Sequence, residues 1–197
     1  MRAFFAVDLP ESLAGPLAAI QTDLDDAAGL SFTDPTQAHV TLKFLGEIDA
    51  NDGASDDADH DTPSLNDIRT AGQQAVDSAD VDPFDCSVAG LGVFPTLDYI
   101  SVVWAGVEDG TEELTALHRA LEAETTALAV DPEDHAFTPH VTLARMTDAR
   151  GKAFVQEIVR ERDPEFGRFE VDEIRLVKST LTVEGPVYET VSSISLG

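Results

Sequence analysis

Two tetrapeptides carry the chemistry in this sequence, His39-Val40-Thr41-Leu42 and His140-Val141-Thr142-Leu143, 101 residues apart. Histidine has an unperturbed pKa of about 6.5, so of two copies near neutral pH one can be protonated and the other neutral. In-line displacement at phosphorus needs that division of labour. One imidazole takes a proton from the attacking oxygen, and the other gives one to the leaving oxygen on the opposite side. A threonine two residues on projects from the same face of a strand, where its hydroxyl can donate to a phosphoryl oxygen. A single His-Val-Thr-Leu reads as a strand with a satisfied histidine, but two copies in matching places favour catalysis. A metal reading fits poorly, because threonines are weak zinc ligands and no third histidine stands at a recognisable spacing. No metal and no cofactor are expected.

The elements around the two motifs repeat as well. Phe4 to Val7 is a β-prone run, and Asp8-Leu9-Pro10-Glu11 has the spacing of a helix-capping box. Leu13, Leu17, Ile20 and Leu24 then trace one apolar stripe. Tyr99 to Val107, Asp109-Gly110-Thr111-Glu112 and the stripe Leu114, Leu117, Leu121 and Leu128 follow the same order ahead of the second motif. Around each motif apolar and polar residues alternate, as in a strand with one face on a core. Helices are expected over 65–79 and 151–162, each followed by a strand, at 84–91 and 169–176. A strand at 180–183, a Gly185-Pro186 turn and a strand over 187–195 complete the chain. This is an internal duplication. The chain is expected to be one α+β domain over 1–197, made of two repeats at about 1–98 and 99–197. Two pseudo-symmetric lobes of antiparallel sheet, with outer helices, would enclose a central cleft. The two polar strand faces would then look at each other across it.

Composition limits the partners. Among 197 residues, 38 acidic side chains face 12 basic ones, for a formal charge of −26, and the basic set is three lysines and nine arginines. Such a surface repels nucleic acid and anionic membrane at low salt, so an anionic substrate has to be gripped locally. At molar salt the Debye length falls to about 3 Å and the repulsion is screened, which reads as adaptation to high salt. Cys86 is the one cysteine, which excludes an intrachain disulfide framework and a multi-thiolate metal site. No apolar window approaches a membrane span, and a cytoplasmic protein is expected. A segment at 49–61, rich in Asp, Ala, Gly and Ser, reads as a hydrated acidic loop that lacks the register of a calcium loop.

The ordered set of motifs resembles the 2H phosphoesterases, named for two His-x-Thr motifs, and within them the RNA 2',3'-cyclic phosphodiesterases once called 2'-5' RNA ligases. Beside the two tetrapeptides, the resemblance rests on Arg2-Ala3-Phe4-Phe5-Ala6-Val7-Asp8-Leu9-Pro10, Lys43-Phe44-Leu45-Gly46, Gly90-Leu91-Gly92-Val93-Phe94-Pro95 and Val103-Trp104-Ala105-Gly106-Val107. Phe137-Thr138-Pro139 before the second motif, Ala144-Arg145 after it, and Ser179-x-Leu181 followed by Gly185-Pro186-x-Tyr188 complete it. It implies metal-independent hydrolysis of a 2',3'-cyclic phosphate at an RNA end, tRNA fragments among them, to a 2'-phosphate by a monomeric chain. His39 would be the donor to the leaving O3' and His140 the acceptor from water, a split that pseudo-symmetry alone does not choose. Thr41 and Thr142 would donate to the phosphoryl oxygens, and the same machinery could join a 2',3'-cyclic phosphate to a 5'-hydroxyl, giving a 2'-5' linkage. A non-hydrolytic module that holds RNA or nucleotide phosphate ends, and hydrolysis of another cyclic phosphate, are the competing functions.

Three further residues are candidates for substrate binding. Arg145 is the phosphate or nucleotide contact that the resemblance implies, yet strict alternation puts it off the histidine face unless the strand bulges or ends at Ala144. A surface salt bridge is its other reading. Lys43 falls on the His39 face by alternation, against the alternative of a solvated strand-end lysine. Phe44, like Phe137, can stack on a base or belong to the core. His60, His118 and His135 are expected at the surface.

Overall fold

A computed structural model of the chain describes residues 1–50, 62–183 and 185–197. His60 and the acidic stretch from residue 51 to 61 lie outside the described residues. The described chain contains nine strands and four α-helices: β1 (Arg2–Asp8), α1 (Ala14–Asp23), β2 (Leu30–Phe32), β3 (His39–Glu47), α2 (Leu65–Ala79), β4 (Phe84–Thr96) and β5 (Tyr99–Val107). They continue with α3 (Thr111–Thr126), β6 (His140–Met146), α4 (Lys152–Glu161), β7 (Glu165–Val171), β8 (Glu173–Thr182) and β9 (Gly185–Ser195). The fold is α+β, as expected.

The sheet order is β7-β4-β5-β6-β3-β1-β8-β9, with β2 added to β6 and neighbouring strands antiparallel. Its middle is nearly unzipped. β3 and β6 are joined through one residue pair, Val40 opposite Val141, so the sheet parts there into two arms. Each arm draws on both halves of the chain, since β4 lies beside β5 while β8 and β9 lie beside β1.

The apolar stripes pack as their periodicity requires. Leu13, Leu17, Ile20 and Leu24 are buried, as are Leu114, Leu117 and Leu121, and each such leucine contributes about 1.5–3 kcal/mol. The largest cluster joins these helices to Phe5, Val7, Val40, Leu42, Val141 and Leu143 on one sheet face. Gly72 of α2 lies against Phe5, where a Cβ would meet the ring at 2.7 Å. That contact sets how closely α2 approaches β1.

The ends of elements depart from expectation. Asp8 does not cap a helix. It ends β1, its carboxylate accepts from Arg175, and the turn that follows has Pro10 at its start without a side-chain cap. Asp109 does not cap α3 either, because Gly110 stands there with φ +87° while Asp109 binds Ser87 and Arg168. The capping box is on α2, where Ser64 and Asp67 bond each other's amides. The run 169–176 is two strands broken at Asp172, and 180–182 ends β8 rather than forming a strand of its own.

Candidate active site

The two His-x-Thr motifs begin β3 and β6, at the place where the arms part. The one pair that joins the strands, Val40 with Val141, is the middle residue of each His-x-Thr motif, so the two motifs meet there.

Both imidazoles are anchored in the same way. His39 Nδ1 lies 2.9 Å from the Gln37 carbonyl oxygen and His140 Nδ1 lies 2.7 Å from that of Thr138. A carbonyl oxygen only accepts, so each Nδ1 carries hydrogen and each Nε2 is left to exchange a proton. Burial holds both pKa values below the ordinary histidine value, while the backbone hydrogen bonds work the other way. The His39 charge further lowers the His140 pKa, and the Arg145 guanidinium lowers both.

Aromatic rings frame each imidazole. Phe4 stacks on His39 at 5.0 Å between centroids and Tyr188 meets it edge-on at 4.9 Å. Phe94 meets His140 edge-on at 4.9 Å, with Trp104 at 6.0 Å. The Trp104 indole lies flat over Gly92, where any Cβ would collide with it at 2.1 Å, which explains the glycine of the Gly90–Pro95 motif. The buried Trp104 Nε1 has no hydrogen-bond partner among the described residues. Sequence reasoning passed over these four rings as site residues. The signal was present in Trp104, the one tryptophan, and in the aromatic positions of the motifs around it.

A matching irregularity follows each motif. β1 pairs Ala6 with Thr41 and Phe5 with Lys43, so Leu42 is an extra residue in β3. β5 pairs Trp104 with Thr142 and Val103 with Ala144, which makes Leu143 the extra residue in β6. One inserted residue shifts a strand's alternation by one position. Arg145 thus returns to the face of His140 and Thr142, opposite Val102, and Phe44 to that of His39 and Thr41, opposite Phe4. Strict alternation would have placed neither there. Phe44 is 59% exposed, open to a stacking partner.

The same shift removes Lys43 from the site, correcting the expectation that it shares the His39 face. Lys43 is fully buried on the opposite side, with Nζ 2.7 Å from Glu122 Oε2 and 2.8 Å from the Asp131 carbonyl oxygen. Burial works against the Glu122 carboxylate, but hydrogen bonds from Lys43 and the Glu133 amide outweigh it and hold its pKa below the usual range. His118 is likewise buried rather than at the surface. Its Nδ1 donates to the carbonyl of the extra residue Leu42 at 2.8 Å, and its ring stacks on Phe137 at 4.2 Å. In β6 the Leu143 carbonyl receives the Gln21 amide and the Thr33 backbone and hydroxyl instead. Phe137 belongs to this packing, and His135 is exposed as expected.

A cavity of about 130 Å³ opens beside His39, with Asp8, Thr36, Gln37, Val177, Tyr188 and Thr190 in its wall. No nucleophile competes with the histidines from Cys86, whose thiol burial and the carboxylates of Asp109 and Glu113 push up to about 12. Among the described residues no cluster of three or more His, Cys, Asp or Glu side chains is placed to hold a metal ion. No helix among them is long and apolar enough to cross a membrane.

Comparison with known proteins agrees with this geometry, since residues 9–182 match the 2'-5' RNA ligase superfamily. The chain belongs to that family. A protein of Methanothermobacter thermautotrophicus named RNA 2',3'-cyclic phosphodiesterase is 35% identical over 190 residues, 95% of either chain. One of the same name from Aeropyrum pernix is 35% identical over 79% of this chain and 80% of its own. The crystal structure of the Thermus thermophilus protein TT0787 superposes with a TM-score of 0.75 at 30% identity, covering 100% of this chain and 98% of that one.

Proposed function

We propose that this member of the superfamily hydrolyses 2',3'-cyclic phosphate ends of RNA to 2'-phosphates by paired histidine acid–base catalysis. The observation that carries the reading is the pair of Nδ1-anchored histidines, each with a threonine on its own strand face, beginning β3 and β6 where the sheet parts. The relatives' shared name supports the substrate class.

His140 Nε2 takes a proton from water as its oxygen attacks phosphorus, and His39 Nε2–H gives one to O3' as the P–O3' bond breaks. The phosphate remains on O2'. Thr41 and Thr142 donate to the two free phosphoryl oxygens, and Arg145 supplies the local positive charge that an acidic surface needs to hold an anion. Phe44, exposed on the His39 face, stacks on a base. With the 5'-hydroxyl of a second RNA in place of water, attacking the cyclic phosphate as the P–O3' bond breaks and O3' takes the His39 proton, the same groups make a 2'-5' linkage. The protein acts as a cytoplasmic monomer on RNA ends, tRNA fragments among them, and needs no divalent metal.

The test is incubation of the protein in high KCl and EDTA with an RNA oligonucleotide ending in a 2',3'-cyclic phosphate. A 2'-phosphate product is expected. A 3'-phosphate would reverse the assignment of the leaving oxygen. Binding of the cyclic end without product would make the protein a phosphate-end binding module, and faster turnover of a cyclic mononucleotide would move the substrate class.

A further inference from the structure

The two histidines are matched in anchoring, threonine partner and strand irregularity, yet the reaction needs them in opposite protonation states. Strand register shows where the match ends. The residue paired with His39 on the adjacent strand is Asp8, and the residue paired with His140 is Gly106. The second place is closed to any side chain, because a Cβ on Gly106 would meet the Ala89 carbonyl oxygen at 2.8 Å. One imidazole has a carboxylate on its neighbouring strand, and the other has bare backbone.

Asp8 is held where it stands. Its Oδ2 lies 2.5 Å from Arg175 Nη1, and Arg175 Nε lies 2.6 Å from Glu173 Oε1. Two carboxylates share one guanidinium, so the group keeps a net negative charge. From the other elements, the Arg145 guanidinium on β6 acts on His39 as a cation, and Tyr188 on β9 meets the His39 ring as a neutral phenol, while the His39 charge acts on His140. The Gln37 carbonyl favours the imidazolium of His39 as the Thr138 carbonyl favours that of His140, so this cancels between them; of the charged groups that bear on His39, Asp8 is the one that favours the imidazolium and Arg145 disfavours it, and His140 has no such carboxylate across from it.

We infer that Asp8, fixed by Arg175, is the positioning residue that makes His39 the proton donor of the pair and leaves His140 as the acceptor. The inference deepens the two-histidine reading above and rests on it. It also gives the cleft a direction. The leaving O3', and with it the terminal nucleoside, lies on the β3-β1-β8-β9 side, next to the cavity that Asp8 and Tyr188 line. The attacking water, or the 5'-hydroxyl in ligation, enters from the side of Phe94 and Trp104.

The experiment compares Asp8→Asn and Arg175→Gln with the unaltered protein, in kcat/KM against pH on RNA with a 2',3'-cyclic end. Imidazole titration by NMR without substrate accompanies it. His39 must be protonated to act, so activity is lost as pH rises through its pKa. Removing the Asp8 charge moves this alkaline limb down by about half to one pH unit, about three- to tenfold in kcat/KM above the limb. Removing the opposing Arg175 charge moves it up. In the NMR titrations the larger displacement falls on His39 in both variants. Displacement of His140 instead, movement in the same direction in both, or an equal loss at every pH would overturn the inference. If Asp8→Asn does not fold, Arg175→Gln carries the test through its upward shift. If the unaltered protein shows no turnover, the hydrolytic reading falls, while the NMR titration still reads the Asp8–His39 coupling.

Discussion

Phe44 and Arg145 occupy equivalent places, five residues after His39 and His140 and each brought onto the histidine face by one extra leucine. One arm of the sheet thus offers an exposed ring and the other a guanidinium. Arg145 has no close carboxylate partner among the ion pairs described, unlike Arg150, Arg162, Arg168 and Arg175. It is open to an anion. Arg145→Ala is expected to raise KM for a cyclic-ended RNA, with kcat/KM about ten- to a hundredfold lower, the worth of a charge-assisted hydrogen bond. Arg145→Lys recovers part of this at most, because an ammonium cannot make the two-pronged contact. Unchanged kinetics in Arg145→Ala would return the residue to the surface.

The lowered histidine pKa values fix the sense of the pH dependence. In the proposed mechanism His140 of the free protein must be neutral, so kcat/KM is lost as pH falls through its pKa. His39 must be protonated, so kcat/KM is lost as pH rises through its own. Burial depresses both, and the bell in kcat/KM is expected to sit on the acid side of the ordinary histidine value of about 6.5. A bound phosphate anion favours the imidazolium, so the limbs in kcat should lie higher. Replacing either histidine by alanine is expected to lower kcat by about 10²–10⁴-fold. Removing His39 should abolish the alkaline limb, and removing His140 the acid one.

Lys43 gives a prediction of the opposite kind, on stability rather than rate. Lys43 is fully buried while Glu122 is partly exposed, so removing the lysine costs less than the ~3–5 kcal/mol of a fully buried pair, and an apolar replacement of similar shape for both is milder still. Lys43→Ala is therefore expected to lower Tm sharply by stranding Glu122 and the Asp131 carbonyl. The double variant Lys43→Met, Glu122→Leu should recover much of the loss. In both, KM of the folded fraction should stay near its original value. A raised KM with unchanged Tm would put the lysine back in the cleft.

The histidines and threonines were legible because their spacing of two survives any strand, and because the copies sit in matching places. The helices over 65–79 and 151–162 were legible from apolar periodicity alone, which tertiary packing then satisfied. What the sequence hid was one residue of register. Nothing in Leu42-Lys43 or Leu143-Ala144 marks an extra residue, because a strand irregularity is decided by the partner strand and by what satisfies the freed carbonyl. Here those partners are His118, 76 residues from Leu42, and Gln21, 122 residues from Leu143. That residue exchanged the apparent roles of Lys43 and Arg145. Asp8 was misread for a similar reason, since its spacing to Glu11 is that of a helix cap while its partner Arg175 lies 167 residues away.

Salt offers a test of the surface rather than the site. With a formal charge of −26, the chain repels RNA at long range and repels itself. Raising KCl from 0.1 M towards molar values shortens the Debye length from about 10 Å to about 3 Å, which removes both penalties. It would weaken the proposed Arg145–phosphate contact less, because screening acts least on a direct contact. Hydrolysis is therefore expected to rise or hold with KCl, and Tm to rise with it. Steady-state rates and thermal melts over the same salt series check this. A monotonic fall in rate with the melt unchanged would mean that long-range attraction from a local basic patch, rather than short-range grip at the histidines, brings the RNA in.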